Sequence, residues 1–200
     1  MKMRGYIALF AAMVMGSLGL YTQPAAAASV NNFTITSFDA SYHLARDNEN
    51  RSVLTTTETI TARFPQSNQN HGLERAIPTE YDSHPVRLTI ESVTNENGVE
   101  QEYHTIKQGD LSILRIGSAS RYVHGLNTYK ITYKQTDVTR YFGDTDRDEW
   151  YWDLNGTEWN VPINAFNATI TFDPKIEAVL TGDSACYQGA YGASDACTIE

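Results

Sequence analysis

The sequence is poor in cysteine, in cationic side chains and in long apolar runs. Only two of its 200 residues are cysteine, and 15 Lys and Arg oppose 24 Asp and Glu, which gives a formal charge of -9 at pH 7. Nucleic acids and anionic lipid surfaces are bound through basic patches, so this acidity argues against both as partners. Outside the amino terminus, no apolar run approaches the ~20 residues that a membrane-spanning helix needs.

Several motifs of known chemistry are missing as well. The five histidines are scattered without the H-E-x-x-H spacing of zinc enzymes, at positions His43, His71, His84, His104 and His124. The sequence has no G-x-S-x-G nucleophile elbow and no phosphate-binding glycine loop. We therefore expect no metal and no cofactor, and the sequence favours a non-enzymatic role over an enzymatic one.

Residues 1–28 have the features of a signal peptide. Lys2 and Arg4 precede a short apolar core, and a run of four alanines then offers an A-x-A cleavage site. We expect cleavage after Ala28 and export of residues 29–200 as one extracytoplasmic domain, extracellular or on the outer face of the cytoplasmic membrane. An uncleaved amino-terminal anchor is the alternative interpretation.

The two cysteines lie close together near the end of the chain. Cys186 and Cys197 are surrounded by Gly, Ser and Ala, which allow the chain to bend tightly. In the oxidising compartment that export implies, the simple prediction is a disulfide between them.

Most of the remaining chain shows the period-two alternation of β-strands and almost no helical spacing. The pattern predicts about nine short strands with short connections, which excludes a parallel α/β sheet. We expect an all-β, two-sheet antiparallel β-sandwich, Ig-like or jelly-roll-like, with an up-and-down barrel as the alternative.

The alternation also predicts which side chains face inward. The clearest inward faces are Phe38, Ala40, Tyr42 and Leu44; Leu54, Ile60, Ala62 and Phe64; and Tyr129, Ile131 and Tyr133. The Thr-rich run at residues 55–59 fits a strand half exposed to water. Further assignments are an irregular stretch at residues 65–85, a hairpin at Asn97-Gly98 joining residues 86–93 to 100–107, a strand at 166–172, and a last strand at 176–180.

Residues 148–159, which we call the aromatic segment, contain all three tryptophans of the protein: Trp150, Trp152 and Trp159. An Asn-Gly pair at residues 155–156 predicts a turn that folds its two halves together as a hairpin. The segment is either the lid of a core or the floor of a binding site. Buried rings would make it a core element, whereas two coplanar exposed rings over a groove would favour sugar binding.

The acidic residues around this segment suggest two chemistries. Asp144, Asp146 and Asp148 have the D-x-D-x-D spacing that opens a calcium loop, but Glu149 stands where that loop needs Gly and Asn155 where it needs Glu. A solvated acidic loop is therefore favoured over a calcium site.

The second chemistry is glycoside binding or hydrolysis. A carboxylate pair could come from Asp148, Glu149, Asp153 and Glu158, with the aromatic rings stacking on sugars. No independent feature supports a nucleophile, so this remains the alternative function.

Several segments, read in order, resemble the amino-terminal domain of the YciQ-like predicted membrane proteins, the domain-of-unknown-function 2207 family. The segments are H-G-L-E-R-A-I-P at 71–78, I-G at 116–117, G-L-N-T-Y-K-I-T-Y at 125–133, the aromatic segment, V-P-I at 161–163 and the Gly/Ala-rich tail between the cysteines.

The resemblance implies an extracytoplasmic β domain that is normally followed by transmembrane helices and a low-complexity tail. This chain stops at Glu200 before any such helix. It is then either the ectodomain of a longer protein, attached to the membrane only through a carboxy-terminal part absent from this chain, or a soluble relative. The family brings no established activity, so we expect a binding or structural module whose partner is a protein or glycan of the cell envelope.

Within residues 71–78, Arg75 stands out as a cation among apolar neighbours. A guanidinium in such surroundings needs a carboxylate, and its planar fork suits a bidentate one. Our hypothesis is that Arg75 pairs with Asp148 or Glu149 and so pins residues 71–78 across the aromatic segment. A simply solvated Arg75 is the alternative.

Overall fold

The structure is a computed structural model that describes residues 30–189 and 192–199. The predicted signal peptide, residues 1–28, and its cleavage site lie outside the described residues. The elements, in chain order, are β1 (Thr34–Arg46), β2 (Ser52–Phe64), β3 (Gly72–Pro78), β4 (Glu80–Tyr81), β5 (His84–Pro85), β6 (Arg87–Asn95), β7 (Tyr103–Gln108), β8 (Leu111–Gly117), β9 (Gly125–Thr136), β10 (Arg140–Phe142), β11 (Arg147–Glu149), β12 (Phe166–Phe172), α1 (Pro174–Glu177), β13 (Tyr187–Gln188) and β14 (Asp195–Ala196).

Eight of these strands build two main sheets. One sheet has five strands in the order β12-β1-β2-β9-β6, and the other has three in the order β3-β8-β7. Their neighbours are antiparallel except for β1 and β12, which run parallel. The predicted all-β sandwich is thus confirmed, with one parallel edge that the sequence did not indicate.

The core lies between the two sheets and follows the predicted alternation. All the inward-facing residues predicted for β1, β2 and β9 are buried. From the three-stranded sheet, Leu73 and Ile77 of β3 and Leu114 and Ile116 of β8 join the same core. Each fully buried large apolar side chain contributes roughly 1.5–3 kcal/mol, so these alternating faces supply the main driving force for folding.

Three local assignments differ from the prediction. Residues 65–85 are not irregular throughout, because Leu73, Arg75 and Ile77 alternate inward along β3. The irregular interpretation was wrong because a charged residue stands at one of the inward positions, which hides the period-two pattern.

The turn at Asn97-Gly98 is present, and the Gly98 N–H donates to the Asn95 carbonyl at 3.0 Å. However, the strand that follows does not return along β6 beyond a bridge between Thr94 and Glu100. Strand β7 instead pairs with β8 in the other sheet, so this connection carries the chain from one sheet to the other.

The expected strand at residues 176–180 is also absent, since the chain enters the short helix α1. Pro174 occupies the first turn, where its missing N–H costs nothing. The Asp173 side chain accepts a hydrogen bond from the Lys175 N–H at 2.9 Å and caps the helix.

Candidate binding site

The aromatic segment packs against β1 at the side of the sandwich. The Trp159 ring meets Phe38 edge-on with centroids 6.0 Å apart, and the Trp150 ring lies 6.3 Å from Tyr42. The Tyr42 hydroxyl donates a hydrogen bond to the Leu154 carbonyl. Side chains that β1 turns inward therefore hold the segment at several points.

The predicted turn in the aromatic segment is present, but the predicted hairpin is not. The Gly156 N–H donates to the Asp153 carbonyl at 2.9 Å, and Gly156 has φ +77°. No strand ladder joins the two halves in the described chain. They are instead connected by the Trp159 indole, which donates to the Asn155 carbonyl at 2.7 Å.

All three tryptophans are partly buried and pack on the core. Trp150 and Trp152 are nearly parallel, with 16° between their planes and 6.4 Å between their centroids. The geometry falls between the two cases that the sequence distinguished, because the two nearly parallel rings are neither fully buried nor fully exposed. The segment is part of the core's cover, and its exposed aromatic residue is Tyr151.

Beneath the aromatic segment lies a buried ion pair between Glu58 of β2 and Arg75 of β3. Arg75 Nε donates to Glu58 Oε2 at 2.8 Å and Arg75 Nη2 donates to Glu58 Oε1 at 2.7 Å. Glu58 is 0% exposed and the Arg75 side chain 3%. The Tyr133 hydroxyl donates a further bond to Glu58 Oε1 at 2.7 Å. This bidentate pair joins the two sheets at the centre of the sandwich.

Burial and the ion pair shift the pKa values of Arg75 and of the two tyrosines beside it. Burial lowers the pKa of Arg75, but the charge of Glu58 and the hydrogen bond to it outweigh burial and hold that pKa above its ordinary value. Burial, and then the negative charge of Glu58, raise the pKa values of Tyr133 and Tyr42 above the usual range. Both tyrosines therefore remain neutral hydrogen-bond donors at physiological pH.

The guanidinium of Arg75 also contacts the aromatic segment. Its Cζ lies 5.8 Å from the centroid of Phe38 and 5.7 Å from that of Trp159, within the range of cation–π attraction. A Cβ placed on Gly156 would collide with Arg75 Nη1 and lie 3.2 Å from Cζ. Glycine is thus required here both by the positive φ and by the close approach of the guanidinium.

The hypothesis that Arg75 pairs with Asp148 or Glu149 is wrong. Arg75 is buried and does bind a bidentate carboxylate, but that carboxylate belongs to Glu58. Asp148 and Glu149 lie on β11, exposed, in a two-stranded hairpin with β10. Because β3 turns Arg75 inward with Leu73 and Ile77, the guanidinium cannot face that hairpin.

Glu58 is the residue that sequence reasoning missed. It lies within the Thr-rich run that was assigned to a half-exposed strand, yet it has the same period-two parity as Leu54, Ile60 and Ala62. A carboxylate at an inward position of an otherwise apolar face is the signal that could have identified it.

At the surface, the aromatic segment forms one wall of a pocket of about 120 Å³. Tyr81 of β4 provides a second aromatic wall, with its ring 6.1 Å from Trp152. The lining is completed by Tyr151, Gly156 and Thr157, by Ala76, Pro78 and Leu111, and by the carboxylates Glu80, Asp153 and Glu158. The role of Tyr81 was not predicted, because only the fold brings β4 to the aromatic segment.

The structure separates the carboxylates that the sequence grouped. Asp153 and Glu158 line the pocket, whereas Asp148 and Glu149 lie on the hairpin. The Asp148 carboxylate is 4.0 Å from Arg46 Nη2. Asp146 accepts a hydrogen bond from Tyr141 at 2.7 Å.

Among the residues that the structure describes, no group of three His, Cys, Asp or Glu side chains is placed to hold a metal ion. The expectation that the protein needs no metal stays a prediction.

Near the carboxyl end, a disulfide joins Cys186 and Cys197, as the sequence predicted. The two cysteines flank the short β13–β14 pair, and the Cys197 N–H donates to the Cys186 carbonyl at 3.1 Å. A salt bridge of 2.7 Å between Arg147 and Asp183 links the chain leading into this tail to the β10–β11 hairpin.

The fold and the site define an all-β sandwich domain with a surface pocket beside an aromatic segment that a buried ion pair anchors. The chain belongs to the family described as "Predicted membrane protein (DUF2207) N-terminal domain", whose model matches residues 34–194. The resemblance seen in the sequence is thereby confirmed.

No curated protein matches the sequence. None of the helices within residues 30–189 and 192–199 is long and apolar enough to cross a membrane.

Some solved structures share a limited likeness with this chain. Leukotriene A4 hydrolase from Saccharomyces cerevisiae matches at 16% identity, with 70% of this chain and 23% of the other covered and a TM-score of 0.43. An M1 zinc metallopeptidase from Deinococcus radiodurans matches at 13% identity, with 71% and 33% covered and a TM-score of 0.37. The chain thus spans a third or less of these enzymes. At such TM-scores the likeness carries no argument about fold or activity.

Proposed function

We propose that this domain is a non-enzymatic binding module of the cell envelope, exported to the outer side of the cytoplasmic membrane. Its family is one of predicted membrane proteins. The signal-like residues 1–28, the acidic composition and the Cys186–Cys197 disulfide support the extracytoplasmic location.

The observation that carries the proposal is the anchoring of the aromatic segment. Arg75 and Tyr42 hold its backbone and rings against the sandwich, while Tyr151 and Trp152 line a surface pocket. A preformed aromatic wall loses little conformational entropy when a partner binds, which favours recognition. The partner we propose is a protein of the envelope.

Location is tested in cells that produce the chain with its leader. Protease added outside the cytoplasmic membrane should digest the domain, and amino-terminal sequencing of the exported protein should begin near Ser29. A domain that is digested only after that membrane is broken would contradict export.

Binding is tested by placing a photo-crosslinking amino acid at Tyr151 in the same cells. Tyr187 is the matched control, because it is 62% exposed against 61% for Tyr151 but lies on the tail. Adducts should form from position 151 and not from position 187. Equal adducts at both positions, or none at 151, would count against a partner-binding pocket.

Glycan binding is the second candidate, favoured by the exposed ring of Tyr151 beside the carboxylates of Asp153 and Glu158. Soluble envelope oligosaccharides should then quench tryptophan fluorescence saturably, and Tyr151→Ala should abolish the effect. If the pocket also hydrolyses glycans, reducing ends should appear and Asp153→Asn should stop their release.

A further inference from the structure

The pocket beside the aromatic segment combines aromatic walls with uncompensated negative charge. Tyr81, Tyr151 and Trp152 supply the rings, and Glu80, Asp153 and Glu158 supply exposed carboxylates. In the part of the chain that the structure describes, no lysine, arginine or histidine lines the pocket. Among the described residues, none of the three carboxylates forms a salt bridge.

The nearby arginines do not supply the missing positive charge. Arg75 lies behind Gly156, but its charge is neutralised by the bidentate pair with Glu58. Arg140 packs 5.4 Å from the Tyr81 centroid and donates to the Tyr81 carbonyl, so it supports this wall without lining the pocket. The pocket therefore presents a negative field to solvent next to aromatic faces.

Aromatic faces and carboxylates together match an organic cation. The ring quadrupole attracts an ammonium or guanidinium group, and a carboxylate adds a charge-assisted hydrogen bond. The domain already uses this combination internally, where Arg75 Cζ lies 5.8 Å and 5.7 Å from the ring centroids of Phe38 and Trp159 and the guanidinium binds Glu58.

The volume of the pocket indicates how large a cationic group it can hold. Pockets for whole small-molecule ligands usually measure about 300–1,000 Å³, whereas this one is about 120 Å³. It suits one extended side chain, whose apolar stem would lie along Pro78 and Leu111 while its head reaches the carboxylates.

We infer that the pocket binds a lysine or arginine side chain presented by a partner protein. The inference rests on the proposed role as a binding module and adds the chemistry of the contact. Its failure would leave the location and crosslinking results standing, so the two proposals fail separately.

The test is an NMR titration of the folded domain with blocked tripeptides Ala-Lys-Ala and Ala-Arg-Ala, with Ala-norleucine-Ala as the uncharged probe. The Trp152 indole and Gly156 amide signals should shift saturably with the two cationic peptides and weaken on adding salt. The norleucine peptide should shift them little.

Single substitutions test whether the cationic peptides bind in this pocket. Asp153→Asn and Glu158→Gln should each weaken binding about three- to tenfold, since each removes one surface charge from the contact. Glu96→Gln is the matched control, because it removes the same charge from an exposed turn outside the pocket and should leave binding unchanged. Tyr151→Leu keeps apolar area but removes a ring, and should also weaken binding.

Thermal melts of each variant check that it stays folded. Equal shifts with the norleucine peptide, equal weakening by Glu96→Gln, or saturation only by neutral oligosaccharides would overturn the inference. The last of these outcomes would favour the glycan-binding candidate instead.

Discussion

Glu58 and Arg75 are the two charged residues that the fold buries almost completely within residues 30–189 and 192–199, and each depends on the other. Removing one partner of a buried pair leaves a charge that is neither solvated nor compensated. The two charges are joined by a bidentate hydrogen bond. The Tyr133 hydroxyl donates a further bond to Glu58, and the Trp159 ring contacts the Arg75 guanidinium. At the scale of the residue, this pair anchors the aromatic segment to the sandwich together with Tyr42 and Phe38.

Substitution of either charged residue is expected to be strongly destabilising. Arg75→Met and Glu58→Gln should each lower the free energy of unfolding by about 3–5 kcal/mol in denaturant melts. The double variant should lose clearly less than the sum, with a coupling of at least ~1 kcal/mol, because it leaves no stranded charge.

The exposed pair of Arg115 and Glu74, 2.5 Å apart and 49% and 59% exposed, is the control for the buried one. Its disruption should cost less than about 1 kcal/mol. Additive losses of stability at the buried pair, or equal losses at both pairs, would show that burial does not make the Arg75–Glu58 pair more important for stability.

Gly156 provides a second test at the residue scale, with Gly98 as its match. Their φ angles are +77° and +76°, but a Cβ at Gly156 would collide with Arg75, whereas one at Gly98 would meet nothing within 4 Å. Gly98→Ala should cost about 1–2 kcal/mol for left-handed backbone strain alone. Gly156→Ala should cost a further ~1–3 kcal/mol for overpacking. Equal losses of stability in the two variants would show that no tight contact exists.

At the scale of the element, the aromatic segment is a piece of irregular chain fixed by side chains from regular strands. Among the described residues, its only strand pairing is that of Asp148 and Glu149 with β10. The position of residues 150–159 therefore depends on Tyr42, Phe38 and Arg75 reaching them from β1 and β3. Loosening these contacts should mobilise the segment before it affects the sheets.

Tyr42→Phe removes the hydrogen bond to the Leu154 carbonyl and is expected to destabilise the domain by about 1–2 kcal/mol. Tyr129→Phe is the matched change, since the buried Tyr129 hydroxyl finds no hydrogen-bond partner among the described residues. Its removal should be neutral or slightly stabilising. Thermal and denaturant melts would compare the two, and the expectation fails if Tyr129→Phe costs as much as Tyr42→Phe.

The strands were predictable where large side chains alternate regularly. The inward faces of β1, β2 and β9 follow from local sequence, because a strand of period two that buries one face fixes its own orientation. The short helix α1 was missed because Asp173 and Pro174, which begin it, are also residues that end a strand such as β12.

The site was less predictable, because its contacts join elements that are distant in sequence. Glu58 and Arg75 come from different sheets, and no local pattern states which carboxylate a buried arginine will meet. The sequence identified Arg75 as a cation needing a partner, but the carboxylates beside the tryptophans drew the prediction to Asp148 and Glu149. Likewise, Tyr81 reaches Trp152 only through the path of the folded chain.

At the scale of the whole molecule, the buried tyrosines predict how stability depends on pH. The folded-state pKa values of Tyr42, Tyr129 and Tyr133 are raised, with burial as the largest cause. A raised folded pKa gives stability that is complete below the unfolded pKa, near 10, and is lost as pH rises above it.

The free energy of unfolding should therefore fall between about pH 9 and pH 11, by up to ~1.4 kcal/mol per pH unit for each buried tyrosine. Denaturant melts across this range measure the slope, and Tyr42→Phe should make it shallower because one titrating group is gone. A flat profile, or an unchanged slope in Tyr42→Phe, would contradict the assignment.

The central claim is that a buried ion pair holds the aromatic segment as a fixed wall of the pocket. It is tested most directly by NMR relaxation of the indole N–H groups of Trp150, Trp152 and Trp159. In the wild-type domain their order parameters should approach the ~0.85 of rigid backbone, and in Arg75→Met or the milder Gly156→Ala they should fall toward ~0.6 while β1, β2 and β9 stay ordered. Mobile indoles in the wild type, or indoles that stay rigid in both folded variants, would contradict the account.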